Sequence, residues 1–439
     1  MVPALLTALV ALNAPLAVEL DASTELRLFR RAWLPVGFVD DPELHTLLHN
    51  VARVRVQGGD SPWQTDALSA ELAAWFDAGA LAEPTDESLD GDLQSAWVQH
   101  QTRATRFRFG RQLTTVTAAR FARFDGLAAS VTAGRVQVDG YGGYIALPRW
   151  NRPRGYYLLG DDTTMLREPT LADDVSRSQR WLGGASLALT PVDRAHASLS
   201  VHEEHDRGAV AFRRVAADGR IDFDTRTSTG GRLIVDAMRR EVADAQAYVD
   251  AVLVDDLTSA LDYAFQAPER MLPATSIFSV FDTSAWHELG AELGYTGVAG
   301  MRLTARGATQ LYEEGTPGAR AALRAVVFPE SGLRWRIVAE LQRLLAASRG
   351  YVLSRAALAY RPDDAWTLTA DLAVYLYDRE TNGISTSAVA LASLERILRR
   401  GLVASVAGSV STTPYVEREA QVMARLSVAL DPLEPRETP

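Results

Sequence analysis

A run of alternating arginine and phenylalanine residues is the part of the sequence whose chemistry is easiest to foresee. It reads Arg106-Phe107-Arg108-Phe109-Gly110-Arg111-Gln112, and Arg53 and Arg55 repeat the same spacing upstream. A guanidinium group is always charged and carries five N–H donors, so clustered arginines bind carboxylates and phosphates through charge-assisted hydrogen bonds. These residues predict a surface that binds anions.

A second arginine-rich segment follows, reading Arg120-Phe121-Ala122-Arg123-Phe124-Asp125-Gly126. Two interpretations stay open for it. The arginines near Asp125 form a positive constriction, or they pair with acidic neighbours and brace the wall of the fold. The candidate pore-lining and anion-binding residues are therefore Arg53, Arg55, Arg106, Arg108, Arg111, Arg120, Arg123 and Asp125.

The composition excludes several kinds of chemistry. All 45 basic residues are arginine, and the chain has neither lysine nor cysteine. It therefore has no Schiff-base lysine, no P-loop lysine, no thiolate nucleophile and no disulfide. The net charge of −10 and the pI near 5.3 also argue against nucleic acid as a partner, because such binding depends on neutralising phosphates.

The histidines supply no convincing catalytic or metal site. His202 and His205 have the spacing of a metal pair, but on a β-strand their side chains point to opposite faces. Ser198 and Ser200 share the face of His202, turned away from lipid, which does not suit a lipid-hydrolysing enzyme. We therefore predict no enzymatic activity, no cofactor and no metal.

The elements that carry the arginines are predicted from period-two alternation. From Trp366 onward, Leu368, Leu372 and Leu376 share one face, while the intervening positions hold residues such as Asp371 and tyrosines. The same alternation recurs along most of the chain. A mean hydropathy of −0.06 excludes a bundle of membrane helices, but it is what strands with one apolar and one wet face produce.

The breaks between these segments are of two kinds. Most are short polar turns, but 148–180 and 267–285 are long. Short turns on one rim and long loops on the other are typical of an outer-membrane barrel, so we predict an all-β, up-and-down antiparallel transmembrane barrel of about 18 strands, roughly 16 to 20, with short periplasmic turns and long extracellular loops. The alternative is a soluble mixed fold, because three Ala-, Leu-, Glu- and Arg-rich segments also suit amphipathic helices: Leu68–Leu81, Arg334–Ala347 and Ser387–Arg400.

The chain begins with an uncharged apolar segment. Residues 1–17 contain no charged side chain and end in small residues, which is typical of a cleavable signal peptide. We assign 18–430 to the barrel and 431–439 to a short C-terminal tail. The prediction implies export to the outer membrane of a Gram-negative cell.

The arginine segments also carry a family resemblance. Their order is similar to the pattern in alginate-export-type and related porin-like outer-membrane barrels. The matching residues are Gly110-Arg111-Gln112, followed after a short connector by Arg123-Phe124-Asp125-Gly126. The resemblance implies a single-chain barrel in outer-membrane lipid whose arginine-rich lumen conducts an anionic polysaccharide.

Two functions therefore remain in view. The first is a channel for hydrophilic, preferentially anionic solutes, or for export of a polysaccharide. The second is a barrel plugged by its long loops that serves as a structural or interaction subunit of a cell-envelope secretion or motility complex, with a periplasmic or envelope partner. The sequence leaves open whether the segment 148–180 folds outward or into the lumen.

Overall fold

The computed structural model consists almost entirely of β-strands. Residues 1–15 and 431–439 lie outside the described part, and residues 16 and 17 of the predicted signal peptide are paired in the first strand. The signal peptide and the C-terminal tail remain predictions. Within the described ranges, no helix is long and apolar enough to cross a membrane. The described residues are 16–33, 44–58, 67–80, 89–113, 122–146, 180–206, 208–267, 285–328, 334–345, 350–381, 383–414 and 416–430.

Twenty-two strands follow one another along the chain. Each pairs antiparallel with the next, and the last pairs with the first from Leu20↔Leu430 onward, which closes the sheet into a barrel. The strands are β1 Leu16–Trp33, β2 Leu44–Gly58, β3 Ala67–Ala80, β4 Leu89–Gln101, β5 Thr105–Leu113, β6 Arg123–Ala133, β7 Val136–Ile145, β8 Arg180–Val192, β9 Ala195–Asp206, β10 Ala209–Asp222, β11 Thr227–Asp236, β12 Glu241–Val254, β13 Leu257–Gln266, β14 Trp286–Tyr295, β15 Met301–Tyr312, β16 Pro317–Val327, β17 Trp335–Leu345, β18 Tyr351–Tyr360, β19 Trp366–Thr381, β20 Ile384–Arg399, β21 Leu402–Thr412 and β22 Val416–Leu430.

The predicted fold class is confirmed, but the predicted strand number is too low. The barrel has 22 strands instead of about 18. One reason is that stretches such as 124–147 and 245–266 each contain two strands joined by a two-residue turn, at 134–135 and 255–256. Such tight turns leave the alternation almost unbroken, so two strands resemble one long one.

The second reason is that the three segments that suited amphipathic helices are strands. Within the described residues, β3 covers 68–80 of the first segment, β17 covers 335–345 of the second and β20 covers 387–399 of the third. Each of these strands is hydrogen-bonded to two neighbouring strands, and this pairing outweighs the helix propensity of its residues.

The two faces of the barrel wall differ in polarity. Large apolar side chains such as Phe109, Leu261 and Leu323 are exposed on one face, which we call the outer face. Charged residues such as Glu71 and Arg306 lie on the opposite, inner face. An arginine exposed to lipid costs about 2–4 kcal/mol at the bilayer midplane, so the apolar face is the one that contacts lipid.

The two ends of the barrel also differ. The two-residue turns at 134–135, 193–194, 255–256 and 400–401 all connect an even-numbered strand to the next odd-numbered one, at the end where β1 begins and β22 stops. We call this the turn end. The long segments between β7 and β8 and between β13 and β14 leave from the opposite, loop end, which is the asymmetry predicted from the sequence.

Aromatic residues near the strand ends lie on both faces of the wall. Trp335, Tyr360 and Trp366 lie on the outer face at the turn end, where Trp335 stands opposite Tyr360. Trp286, Tyr351, Tyr375 and Tyr377 lie instead on the inner face. Aromatic side chains favour strands on either face, so position along the strand does not decide which way they point.

The inner face is not uniformly polar. Phe124, Tyr141 and Leu182 pack together on β6, β7 and β8 toward the loop end, and Phe124 is fully buried. A second small cluster joins Ala216, Ile234 and Ala243 on β10, β11 and β12. This sector of the inner wall therefore carries buried apolar side chains beside its charged ones.

Candidate functional site

Arg53 and Arg55 converge on one carboxylate of the next strand. Arg53 donates to Oε2 of Glu71 from Nη2 at 2.7 Å and from Nε at 3.0 Å, and Arg55 Nη2 donates to the same oxygen at 2.9 Å. Ser95 Oγ donates to the other oxygen, Oε1, at 2.7 Å. Arg55 Nη1 also lies 3.5 Å from Oε2 of Glu19. Glu71 thus links β2, β3 and β4 on the inner face.

We expect Glu71→Gln to lower the free energy of unfolding by about 1–3 kcal/mol, because two guanidinium groups lose their shared carboxylate. Urea unfolding in lipid vesicles, followed by tryptophan fluorescence, measures this change. Glu292→Gln is the matched control, because Glu292 is a more exposed inner-face acid whose ion pair with Arg306 is 4.0 Å long. Equal unfolding midpoints for the two variants would contradict the linking role of Glu71.

Arg106 and Arg108 lie on the inner face near the turn end of β5. Arg108 donates to Oε1 of Gln99 from Nε at 2.9 Å and from Nη2 at 2.7 Å. Its guanidinium carbon lies 4.2 Å from the centroid of the Trp97 ring, a cation–π contact. Arg106 Nη2 is 3.9 Å from Oδ1 of Asp139. Arg108 is therefore held in place by neutral groups, and within the described residues it forms no ion pair with a carboxylate.

Arg111, Arg123 and Asp125 lie at the loop end and form a compact ion-pair cluster. Arg111 binds Asp125 in a bidentate pair at 2.7 and 2.8 Å and donates to the carbonyl of Leu93 at 3.2 Å. Arg123 pairs with Asp92, which also lies 3.9 Å from Arg111. The side chain of Arg111 is only 7 % exposed, so the geometry supports the bracing interpretation here.

The candidate residues therefore do not form one ring. Arg106 and Arg111 are five residues apart on one strand, about 17 Å. Residues 53, 55, 106 and 108 belong to the turn-end half of the wall, while 111, 123 and 125 belong to the loop end. Arg120 lies outside the described residues.

Burial within the ion pairs shows which charge faces the lumen. The side chain of Arg53 is 40 % exposed and that of its partner Glu71 only 9 %; for Arg106 and Asp139 the values are 39 % and 5 %. The long arginine side chains extend into the lumen, while the shorter carboxylates stay against the wall. Solvent in the lumen therefore contacts guanidinium groups more than carboxylates at these pairs.

Comparison with known proteins gives distant similarities. The translocation pore of the P pilus usher (PapC) has a TM-score of 0.48 and 9% identity, over 94% of this chain and 100% of that one. OccAB4 of Acinetobacter baumannii has 0.44 and 9%, over 95% and 99%. OccK8 (OprE) of Pseudomonas aeruginosa has 0.45 and 9%, over 95% and 98%. No protein-family model matches the chain, and no curated protein does.

The strand pairing confirms the predicted closed, antiparallel β-barrel. Its place in the outer membrane of a Gram-negative cell stays a prediction, and the likeness to alginate-export-type barrels is a loose one. At 9% identity, similarity to the usher and to the Occ proteins does not extend to particular residues.

The histidine pair is split between the two faces of β9, as the alternation predicts. His202 is buried on the inner face, where its Nε2 lies 2.9 Å from Oε1 of Glu204 and its Nδ1 contacts the hydroxyl of Tyr141. His205 stacks on Trp181 with ring centroids 3.8 Å apart. Across the described ranges, no group of three or more His, Asp or Glu residues is arranged to hold a metal ion.

On the inner face of β13 to β16, Glu288 is the centre of a group of ion pairs that was not predicted from the sequence. Glu288 lies 3.0 Å from Arg320 and 3.2 Å from Arg306, and it accepts a hydrogen bond from Gln310 at 2.7 Å. Arg306 also pairs with Asp262 at 2.8 Å. The alternation from Met301 already places Arg306 on the wet face, but the sequence does not show which acid stands opposite it.

A cavity of about 710 Å³ lies at the turn end, between β10 and β14. Its lining mixes both charges, and Arg220 pairs with Asp222 at 2.8 Å. In the turn after β10, Asp224 accepts backbone N–H bonds from Arg226 and Thr227 at 2.7 and 2.6 Å, and these bonds hold the pKa of Asp224 below its usual value. Three arginines and four acidic residues line this cavity, so it has no excess of positive charge.

A smaller cavity of about 220 Å³ lies at the same end, between β15 and β17. Three exposed arginines line it, Arg302, Arg324 and Arg336. None of these three arginines is among the site residues predicted from the sequence. The strand register brings the three together, because β15 begins, β16 ends and β17 begins at the turn end.

Proposed function

We propose that this barrel is an outer-membrane channel for hydrophilic solutes with a preference for anions, and that it carries out no catalysis. The observation that carries the proposal is the burial pattern of the inner-face ion pairs. At the pairs Arg53–Glu71 and Arg106–Asp139, the guanidinium groups reach into the lumen while the carboxylates lie against the wall. Anions that enter the lumen meet free N–H donors, and cations meet like charge.

The apolar character of the barrel's outer face supports its placement in a membrane. Exposed leucine, valine and phenylalanine side chains cover it, and Trp335, Tyr360 and Trp366 mark its turn end as an interface with water. The turn end is the periplasmic end in this proposal. Export to this membrane uses the signal peptide predicted at residues 1–17, and a polysaccharide is one anionic solute that fits the proposal.

Planar-bilayer conductance of the refolded protein under a potassium chloride gradient tests the proposal. We expect ion conductance with a reversal potential that shows higher permeability for chloride than for potassium. A cation-selective reversal potential would overturn the anion preference. Absence of any conductance would overturn the open channel itself.

We expect Arg106→Ser combined with Arg108→Ser to reduce the chloride-to-potassium permeability ratio about twofold, because two lumen-facing charges are lost. The matched control is Arg135→Ser with Arg361→Ser, which removes two arginines from turns outside the strands. The same bilayer measurement compares the two double variants. An equal change in both would show that net charge, and not position on the inner face, sets the selectivity.

A second candidate function is favoured by one observation. Phe124 and Leu182 are buried on the inner face near the loop end, where an open lumen would leave them in water. This supports a barrel whose lumen is obstructed and which serves as a structural or interaction subunit of an envelope complex. A folded barrel that gives no conductance would favour this function over the channel.

A further inference from the structure

The cavity between β15 and β17 collects positive charge on the inner face. Arg302 comes from the start of β15, Arg324 from the end of β16 and Arg336 from the start of β17. Thr304 adds a hydroxyl group to the lining. Val326 and Phe328 supply an apolar floor, and Val326 is almost fully buried.

The arginines of this cavity differ from those of the surrounding inner wall. Arg306 and Arg320 pair with Glu288, and Arg355 pairs with Asp371. Arg302, Arg324 and Arg336, by contrast, form no ion pair with a carboxylate in the part of the chain that the structure describes. The strand register places Glu340 opposite Arg324, yet these two side chains form no ion pair.

Three like charges around one cavity repel one another, and the apolar floor weakens the screening by water on that side. An anion in the cavity would remove this repulsion and accept hydrogen bonds from several guanidinium groups and from the Thr304 hydroxyl. The volume of about 220 Å³ is smaller than the pockets of about 300–1,000 Å³ that enclose drug-sized ligands. The cavity therefore suits a single anionic group.

We propose that this cavity is an oxyanion-binding site that holds one carboxylate or phosphate group of a solute in the lumen. The inference rests on the proposed function in that the solute reaches the site through the lumen. In the ring of 22 strands, β16 lies eleven strands from β5, which carries Arg106 and Arg108. The site thus belongs to the wall opposite those arginines, at the same turn end.

Line broadening in phosphorus NMR of inorganic phosphate tests the site without requiring ion flow. We expect the folded barrel in detergent micelles to broaden the phosphate resonance, and the triple variant Arg302→Gln, Arg324→Gln, Arg336→Gln to lose at least about three quarters of that broadening. The charge-matched control is Arg220→Gln, Arg226→Gln, Arg355→Gln, whose arginines are already paired with carboxylates. This control should retain the wild-type broadening.

The triple variant is expected to fold, because none of its three arginines leaves a partner carboxylate behind. The heat-dependent shift in electrophoretic mobility of folded barrels checks this.

Proton saturation-transfer difference measurements with acetate test whether the site binds carboxylates. Signal with acetate but not phosphate assigns the site to carboxylates, and the reverse assigns it to phosphates.

Equal broadening by the triple variant and the wild type, or no binding of either anion, would overturn the site even if the protein conducts. Binding that depends on the three arginines in a protein without conductance would instead overturn the channel and leave the site standing.

Discussion

The variant Gly126→Ala is expected to lose about 3 kcal/mol or more of unfolding free energy, and most of its refolding yield, through a single added methyl group. Gly126 stands between Gly110 and Gly143 on the neighbouring strands β5 and β7. A Cβ at Gly126 would overlap the carbonyl oxygen of Gly142 and lie 2.7 Å from Cα of Gly143. Both obstacles are backbone atoms of a paired strand, so no side chain can move to make room.

The neighbouring glycine Gly110 shows that the wall is distorted here, because its φ is +121°, a conformation that side chains rarely allow. The ladder of three glycines therefore permits a close approach of three strands beside the buried Phe124 and the ion pairs of Arg111.

Gly140→Ala is the matched control for Gly126→Ala, since the nearest atom to a Cβ at Gly140 lies 3.9 Å away. Urea unfolding in lipid vesicles and the heat-dependent shift in electrophoretic mobility measure both variants. Comparable stability of Gly126→Ala and Gly140→Ala would show that the strands do not approach each other as the structure describes.

The variant Leu261→Arg is expected to lower the free energy of unfolding in lipid by about 2–4 kcal/mol. Leu261 lies in the middle of β13, and its side chain is 59 % exposed on the outer face. An arginine there must be accommodated in hydrocarbon. Urea titration of the variant in phospholipid vesicles measures the loss.

The next residue provides the control for this prediction. Ala260 lies on the inner face, and the register places it opposite Asp250 of β12 and Glu292 of β14. Ala260→Arg therefore adds the same side chain beside two carboxylates, and we expect little loss of stability. A larger loss for Ala260→Arg than for Leu261→Arg would reverse the assignment of the two faces.

Much of the fold could be predicted because the alternation is strict wherever one face meets lipid. The leucines of β19, the arginines of β2, and Arg106 and Arg108 of β5 lie on the faces that their spacing predicts. The asymmetry of the two ends was also predictable, because long and short connections are visible as breaks in the pattern.

The strand number and the Ala-rich strands could not be predicted, because both depend on neighbours. A two-residue turn such as 134–135 hardly interrupts the alternation, and β3, β17 and β20 contain residues that also favour helices. Pairing with two adjacent strands decides their conformation, and the sequence of one segment does not contain that information.

The candidate site was also predicted only in part. Residue types and their spacing predicted that arginines gather on the inner face. They did not predict which arginines are paired with carboxylates. Arg53 and Arg111 are both paired, yet the first extends into the lumen and the second is buried in the wall. The charged cavity of Arg302, Arg324 and Arg336 escaped notice because its members come from three strands.

The sequence by itself determined that the strands have one apolar face and one face that carries arginines. Successive side chains of a strand point to opposite faces, and this alternation is a local property of the chain. Only the tertiary structure decided how many strands close the ring, which carboxylate each arginine pairs with, and where three arginines pair with none among the described residues. Those outcomes depend on the register between strands, which joins residues that are distant in the chain.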